Sequence, residues 1–103
     1  MTLRPRQAAA AEQARDMAEA GIGLEWDGSP NYTRAARGLG ALRAGDEVAP
    51  EDRADTLAAL LEWCNSESDD LEDGRVSQDA RKVARETLDA GCALWVRLLR
   101  AWK

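Results

Sequence analysis

Residues 77–102 read SQDARKVARETLDAGCALWVRLLRAW, and they carry the strongest helical pattern in the chain. Apolar or small side chains recur at intervals of three and four over roughly six turns, which is the period of one buried helix face. Ser77 is a suitable N-cap, so the pattern predicts a helix over about 78–102. The stripe consists of Ala80, Ala84, Leu88, Gly91, Trp95, Leu98 and Trp102. Gly91, in the middle of this stripe, predicts a point where a second backbone approaches closely.

The segment before this stretch predicts a helix over about 50–66. Pro50 suits a first helical turn, and the acids that follow it are favoured there by the helix dipole. The expected inner face consists of Leu57, Leu60, Leu61 and Cys64, widened by Ala59 and Trp63. The acidic run beyond residue 66 is expected to fray before Gly74 ends the segment.

Two more helices are predicted nearer the N-terminus. The first covers about 5–20, where Pro5 suits the first turn and Gly21 lies just past the end. The second covers about 31–44 and is ended by Gly45. Gly38 and Gly40 fall inside the second helix, and we interpret them as sites of close helix packing, with a flexible bend as the alternative.

The connection at about 22–30 is expected to be an ordered loop, with a very short β segment as the alternative. Ile22, Leu24 and Trp26 alternate as they would in a strand, and Asp27-Gly28 is a good turn. Pro30 disfavours a returning strand because it cannot donate a ladder hydrogen bond. We therefore expect a loop whose Trp26 caps the core.

Composition limits how such helices can pack. The chain has 103 residues and 45% apolar residues, but 20 of these are alanine. Most Leu and three of the four Trp fall in the last two predicted helices. We therefore expect an all-α fold with a single domain over 1–103. It would be a small bundle of about four helices, in which the last two form the centre and the alanine-rich first helix forms a thin cover.

Several classes of site are disfavoured by the residues present. The chain has no histidine and only two cysteines, so it cannot build a Ser-His or Cys-His site or a tetrahedral zinc site alone. A calcium loop from Asp69 to Ala80 would place Leu71 and Ala80 where oxygen ligands are needed. We therefore expect no enzyme activity, no catalytic residues, no metal and no cofactor.

The expected compartment follows from the lack of export signals in the sequence. The first residues lack the apolar stretch of a signal peptide, and no run of about 18 apolar residues is present. We therefore expect a cytoplasmic protein without a membrane partner. In that compartment Cys64 and Cys92 would be reduced, and we interpret both as small buried thiols, with a disulfide as the less favoured alternative.

Charge is strongly segregated along the chain. Residues 46–74 carry eleven acids and one base, whereas residues 75–103 carry seven bases and three acids. The candidate partner-binding acids are Glu62, Glu67, Asp69, Asp70, Glu72 and Asp73. A solvated helix end is the simple interpretation. The alternative is that these carboxylates imitate the phosphates of nucleic acid and occupy a basic groove on a nucleic-acid-binding protein.

A basic set of side chains follows the acidic segment, namely Arg75, Arg81, Lys82 and Arg85. We interpret it mainly as ion pairing with the acids of the same helix or with the acidic segment. Direct binding of nucleic acid by this set is disfavoured, because the chain as a whole has a pI near 4.7.

The C-terminal end of the last helix is apolar on more than one face. Its candidate interface residues are Trp95, Val96, Leu99 and Trp102. A helix that is apolar around much of its circumference is either central in the bundle or paired with another chain. The same four residues are thus expected either in the core or in a docking or dimer face, where Trp and Arg are typical anchors.

These features together favour a non-enzymatic, acidic protein-binding module. Such a module would act as an inhibitor, adaptor or regulator by masking a partner surface. Its small size, acidity and lack of catalytic groups fit phage anti-defence proteins such as anti-CRISPR proteins, as an analogy of class without a shared motif. The alternative is a homo-oligomeric structural or assembly protein that self-associates through the C-terminal helix, with a homodimer as its simplest form.

Overall fold

Four helices and one 3-10 turn follow one another along the described residues. The computed structural model describes residues 2–20, 32–74 and 77–102. Its elements are α1 (Pro5–Ala20), α2 (Tyr32–Ala44), a 3-10 turn (Pro50–Asp52), α3 (Arg53–Glu72) and α4 (Gln78–Ala101). The expectation of a small all-α bundle with four helices is confirmed. The predicted loop or short β segment at 22–30, with Trp26, lies outside the described residues.

Helix α3 is longer than the sequence suggested. It was expected to fray after about residue 66, yet it continues to Glu72 and is followed by Asp73 as its C-cap. The reason is Leu71, which is only 6% exposed and anchors the last turn to the core. That burial offsets the unfavourable placement of acids at a helix C-terminus. Gly74 then ends the segment with a positive φ of 71°.

The four helices form a ring with one diagonal contact. Neighbouring pairs pack as α1 with α2, α2 with α3, α3 with α4 and α4 with α1, and α1 also contacts α3 across the ring. No Cα atoms of α2 and α4 lie within 8 Å of each other among the described residues. The central pair is therefore α1 and α3. The expected centre of α3 and α4 is wrong.

Helix α1 reaches the centre because it is built from small residues. Its buried residues are Ala10, Ala11, Ala14 and Ala18, all with no exposed surface. Alanine side chains let helix axes approach more closely than leucine side chains do. The expectation of a thin cover is corrected for this reason: α1 buries little area per residue but lies deep in the bundle.

Helix α4 begins as predicted, and its buried face is shifted. The Ser77 hydroxyl accepts a hydrogen bond from the amide of Ala80 at 3.4 Å. The buried residues of α4 are Thr87, Leu88, Gly91, Leu94 and Leu98. Leu94 is fully buried although the predicted stripe omitted it, whereas Trp95 and Trp102 are half-buried at the edges. Helix α4 is thus a peripheral helix, and the interpretation of it as central is wrong.

Two glycines mark the closest helix contacts, as the sequence predicted for both. An added Cβ at Gly91 would lie 2.5 Å from Cζ3 of Trp63 and 3.1 Å from Cβ of Ala10. An added Cβ at Gly38 would collide with the hydroxyl of Thr56. These positions fix where α4 crosses α1 and α3 and where α2 crosses α3. No helix within the described ranges is long and apolar enough to cross a membrane.

Candidate protein-binding surface

The predicted acids do not form one cluster, because α3 distributes them around its axis. Glu62, Asp69 and Asp73 are spaced by seven and four residues, so they lie in one line along the helix. Asp70 lies beside this line. The three aspartates are exposed and Glu62 is half-buried. We call three of these residues, Glu62, Asp69 and Asp70, the acidic row, because Asp73 already has an interaction within the chain.

The other two predicted acids point elsewhere. Glu67 is half-buried, and its pKa is raised, first by burial and second by the nearby charge of Asp70. Glu72 lines a cleft between α3 and α4. No ion pair forms at Glu62, Asp69 or Asp70 within the described residues. These three carboxylates are therefore available to a partner.

The basic set borders the cleft that Glu72 enters. This cleft has a volume of about 530 Å³ and lies where α3 ends and α4 begins. It is lined by Ser68, Leu71, Glu72, Gln78, Arg81, Lys82 and Arg85. Only one of the expected pairings forms within the described residues, between Arg85 and Asp89 at 3.9 Å. The cleft is open and mixes three cations with a carboxylate, so its charge selects no single class of ligand. Arg75 lies outside the described residues.

The four apolar candidates on α4 separate into two kinds. Val96 and Leu99 are 40% and 38% exposed, and neither is part of the core. Trp95 packs against the core and donates a hydrogen bond from Nε1 to the carbonyl of Leu57 at 3.1 Å. The structure therefore separates two solvent-facing aliphatic residues from a tryptophan that holds α4 against α3.

Trp102 also contributes to packing. It is half-buried against the core, and the guanidinium carbon of Arg53 lies 5.6 Å from its ring centroid. A small cavity of about 220 Å³ next to it is lined by Leu42, Asp46, Glu47, Val48, Arg53, Ala101 and Trp102. Trp102 thus ties the end of α4 to the start of α3 through a cation–π contact.

A half-buried ion pair, in which Asp52 is buried and Arg37 is 58% exposed, lies at the start of α3 and was not predicted from the sequence. Both carboxylate oxygens of Asp52 accept 2.7 Å hydrogen bonds from Arg37 on α2, and the Asp52 side chain is only 2% exposed. The Arg37 guanidinium beside it lowers the pKa of Asp52. The hydroxyl of Thr56 donates to the backbone carbonyl of Asp52 at 2.6 Å. The pair joins α2 to α3 and is fully satisfied, so it is a structural feature of the core.

The two cysteines differ in environment and remain free. Cys64 is buried on α3, whereas Cys92 is exposed on α4. Burial, with a smaller contribution from the neighbouring Cys92, raises the pKa of the Cys64 thiol to about 12. The expectation of two buried thiols is therefore correct for Cys64 and wrong for Cys92. A thiol with so high a pKa is a poor nucleophile.

We expect the two thiols to react at very different rates with a thiol-specific reagent. In the folded protein at pH 8, Cys92 should be modified quickly and Cys64 at least ten times more slowly, because Cys64 is buried and protonated. Absorbance of released thionitrobenzoate would count one fast thiol in buffer and two in denaturant. Two fast thiols in buffer would contradict the placement of Cys64, and Cys92→Ser should abolish the fast phase.

Among the described residues, no three metal-ligating side chains come together as a group that could hold a metal ion. The features that remain for binding are the acidic row on α3 and the exposed aliphatic residues of α4. No family model, curated protein or solved structure matches this chain.

Proposed function

We propose that the chain is a non-enzymatic, cytoplasmic protein-binding module that docks the acidic row into a basic surface of its partner. The observation that carries this proposal is the continuation of α3 to Glu72, which holds the carboxylates on a regular helix. In a frayed segment the same charges would have no fixed spacing. The binding energy would come mainly from charge pairs, so it would depend strongly on salt.

The spacing of the acidic row supports a basic nucleic-acid-binding groove as the target. Seven residues of helix separate the carboxylates of Glu62 and Asp69 by about 10 Å along the axis. Phosphates on one strand of DNA rise by about 3.4 Å each along the duplex axis while they wind around it, so the two kinds of charge are spaced by distances of the same order. A groove built for that series of charges would accept the row. The chain would thereby act as an inhibitor or regulator that masks the groove, as anti-CRISPR proteins of phages do.

The state of Glu67 supports the same conclusion. Its pKa is raised, first by burial and second by the charge of Asp70, so a cation brought close to Asp70 would also lower the pKa of Glu67. A basic partner would supply that cation. Binding should therefore favour the ionised form of Glu67 and release protons in weakly acidic buffer.

A pull-down with matched charge variants tests this proposal. The immobilised chain is exposed to nuclease-treated lysate at low salt, and the retained protein is challenged with duplex DNA and with salt. The triple substitution Glu62→Gln, Asp69→Asn and Asp70→Asn should lower retention at least tenfold. Retention by the unsubstituted chain should fall when DNA or salt is added.

The control variant removes the same amount of charge from other exposed positions. It carries Asp16→Asn, Asp46→Asn and Glu47→Gln, whose side chains lie on α1 and in the connection after α2. It should retain the partner nearly as well as the unsubstituted chain. Equal losses in both variants, or retention that neither salt nor DNA affects, would contradict docking through the acidic row.

A further inference from the structure

The outer side of α4 carries a short series of residues that is complementary to itself. Asp89, Ala93, Val96 and Arg100 are spaced by four, three and four residues, so they share one line along the helix. All four are exposed, with Val96 at 40%. At 100° per residue, this line lies about half a turn from the buried line of Gly91, Leu94 and Leu98. It therefore faces away from the bundle.

The order of chemical types along this line reads acid, small, apolar, base. If a second copy of α4 lies antiparallel across it, centred between Ala93 and Val96, each position meets its complement. Asp89 faces Arg100 of the second copy, and Ala93 faces Val96. The second half of the contact repeats the first because the symmetry is two-fold. The small residue at the centre allows the two helices to approach closely.

We infer that the chain forms an antiparallel homodimer through the Asp89–Ala93–Val96–Arg100 face of α4. Two properties of the structure leave this face free for a second copy. Helix α4 packs only against α1 and α3 among the described helices. The one ion pair on the face, from Asp89 to Arg85, is long at 3.9 Å, and both side chains are about 70% exposed.

Neighbouring residues extend the contact beyond the central line. Leu99, 38% exposed, and the exposed Cys92 lie on the side of the line toward α3. On α3, Leu61 is 41% exposed, and it lies one turn after Leu57, whose carbonyl binds Trp95 of α4. These residues place exposed apolar surface next to the charge pairs, where a second copy would cover it. The acidic row points elsewhere, so dimerisation and partner docking are independent.

Charge reversal at Asp89 and Arg100 tests the antiparallel pairing directly, because only a pairing of these two residues predicts loss in each single variant and recovery in the double variant. Sedimentation equilibrium on the full chain over 1–200 µM should show a monomer–dimer equilibrium. Asp89→Arg alone and Arg100→Asp alone should each raise the dimer Kd at least tenfold, because each places like charges opposite each other twice per dimer. The double substitution should restore the Kd to within about threefold. An equimolar mixture of the two single variants should also dimerise, since both pairs become complementary again.

A charge reversal outside the proposed interface serves as the control. Asp79→Arg makes the same charge change near the start of α4, which lies beyond the reach of the partner's α4 because that helix ends at Ala101. It should leave the Kd unchanged. Far-ultraviolet circular dichroism should show that every variant keeps its helix content. A monomer throughout the concentration range, or single variants that dimerise as well as the unsubstituted chain, would overturn the inference. A double variant as weak as the singles would do the same.

Discussion

Gly91→Ala is expected to destabilise the fold by about 2 kcal/mol, even though alanine is the better helix former. In an open helix this substitution would gain about 1 kcal/mol. Here the added Cβ would lie 2.5 Å from the ring of Trp63, which is only 3% exposed, and 3.1 Å from Cβ of Ala10. A distance as short as 2.5 Å places the cost at the upper end of the roughly 1–3 kcal/mol that overpacking typically causes, so after the gain of about 1 kcal/mol a net loss of about 2 kcal/mol remains. Thermal unfolding followed by circular dichroism should show Tm lowered by about 10 °C.

Gly40→Ala is the matched control for this substitution. Gly40 also lies inside a helix, but the nearest atoms to an added Cβ belong to the Arg15 guanidinium at 3.4 Å, which can move aside. The intrinsic gain should dominate there, and Tm should rise by a few degrees. A neutral or stabilising Gly91→Ala would contradict the close crossing of α4 over α1 and α3. Trp63→Leu combined with Gly91→Ala should cost less than the two single losses together, since the smaller side chain makes room.

Arg37→Ala is the second substitution with a large expected effect. It would remove the two 2.7 Å hydrogen bonds that hold the carboxylate of Asp52, whose side chain is 2% exposed in the unsubstituted chain. Water that enters the space of the 58% exposed Arg37 side chain can replace these charge-assisted bonds only in part. The urea midpoint at pH 7 should fall well below that of the unsubstituted chain. Arg37→Lys keeps the charge but not the two-bond fork, so its midpoint should lie between the two.

The loss of stability in Arg37→Ala should depend on pH, and the lowered pKa of Asp52 fixes the sign of that dependence. Arg37 keeps the pKa of Asp52 below its ordinary value of 3.8. The stabilisation is therefore fully present above the unfolded pKa, near 4, and is lost as pH falls through the lower pKa of the folded state. The gap in urea midpoint between Arg37→Ala and the unsubstituted chain should be widest above about pH 5 and should shrink in acid. A gap that stays constant down to pH 2 would contradict this account.

Much of the secondary structure could be predicted because its signals are local. Pro5, Ser77 and Gly74 mark helix boundaries through their own backbone and hydrogen-bonding properties, and the structure places them there. The end of α3 was predicted too early because the acidic run beyond residue 66 was expected to fray on account of its charge. Leu71 was the available counter-signal, since it continues the stripe of Leu60 and Cys64. One buried leucine was enough to extend the helix.

The positions of the helices in the bundle were harder to predict because they depend on which helices pack against one another. The prediction from sequence placed the helices with the largest side chains at the centre, so it put α3 and α4 there and α1 outside. Helix α1 lies at the centre because small residues permit close approach, which size alone does not reveal. The ion pair of Arg37 and Asp52 was missed for a related reason. Asp52 precedes Thr56 and Leu60 at intervals of four, and that pattern could have indicated a buried position.

The candidate surface was predicted as a set of residues but not as an arrangement. All six acids were predicted as one set, yet Glu67 is half-buried on another side of α3 and Glu72 lines the cleft between α3 and α4. Of the four apolar residues, Val96 and Leu99 face solvent, whereas Trp95 and Trp102 pack against the core. The self-complementary line on α4 was missed because Asp89 and Arg100 were considered as charges and Val96 as an apolar residue, never as members of one series.

The alanine face of α1 has a consequence for conformational entropy. A leucine or methionine loses rotamer freedom when it is buried, whereas alanine has none to lose. The four buried alanines of α1 therefore gain modest free energy from burial at almost no entropic cost from their side chains. Larger residues would bury more area, but they would also be immobilised and would push the helices apart. The central helix contacts of this short chain therefore form with little loss of side-chain conformational entropy.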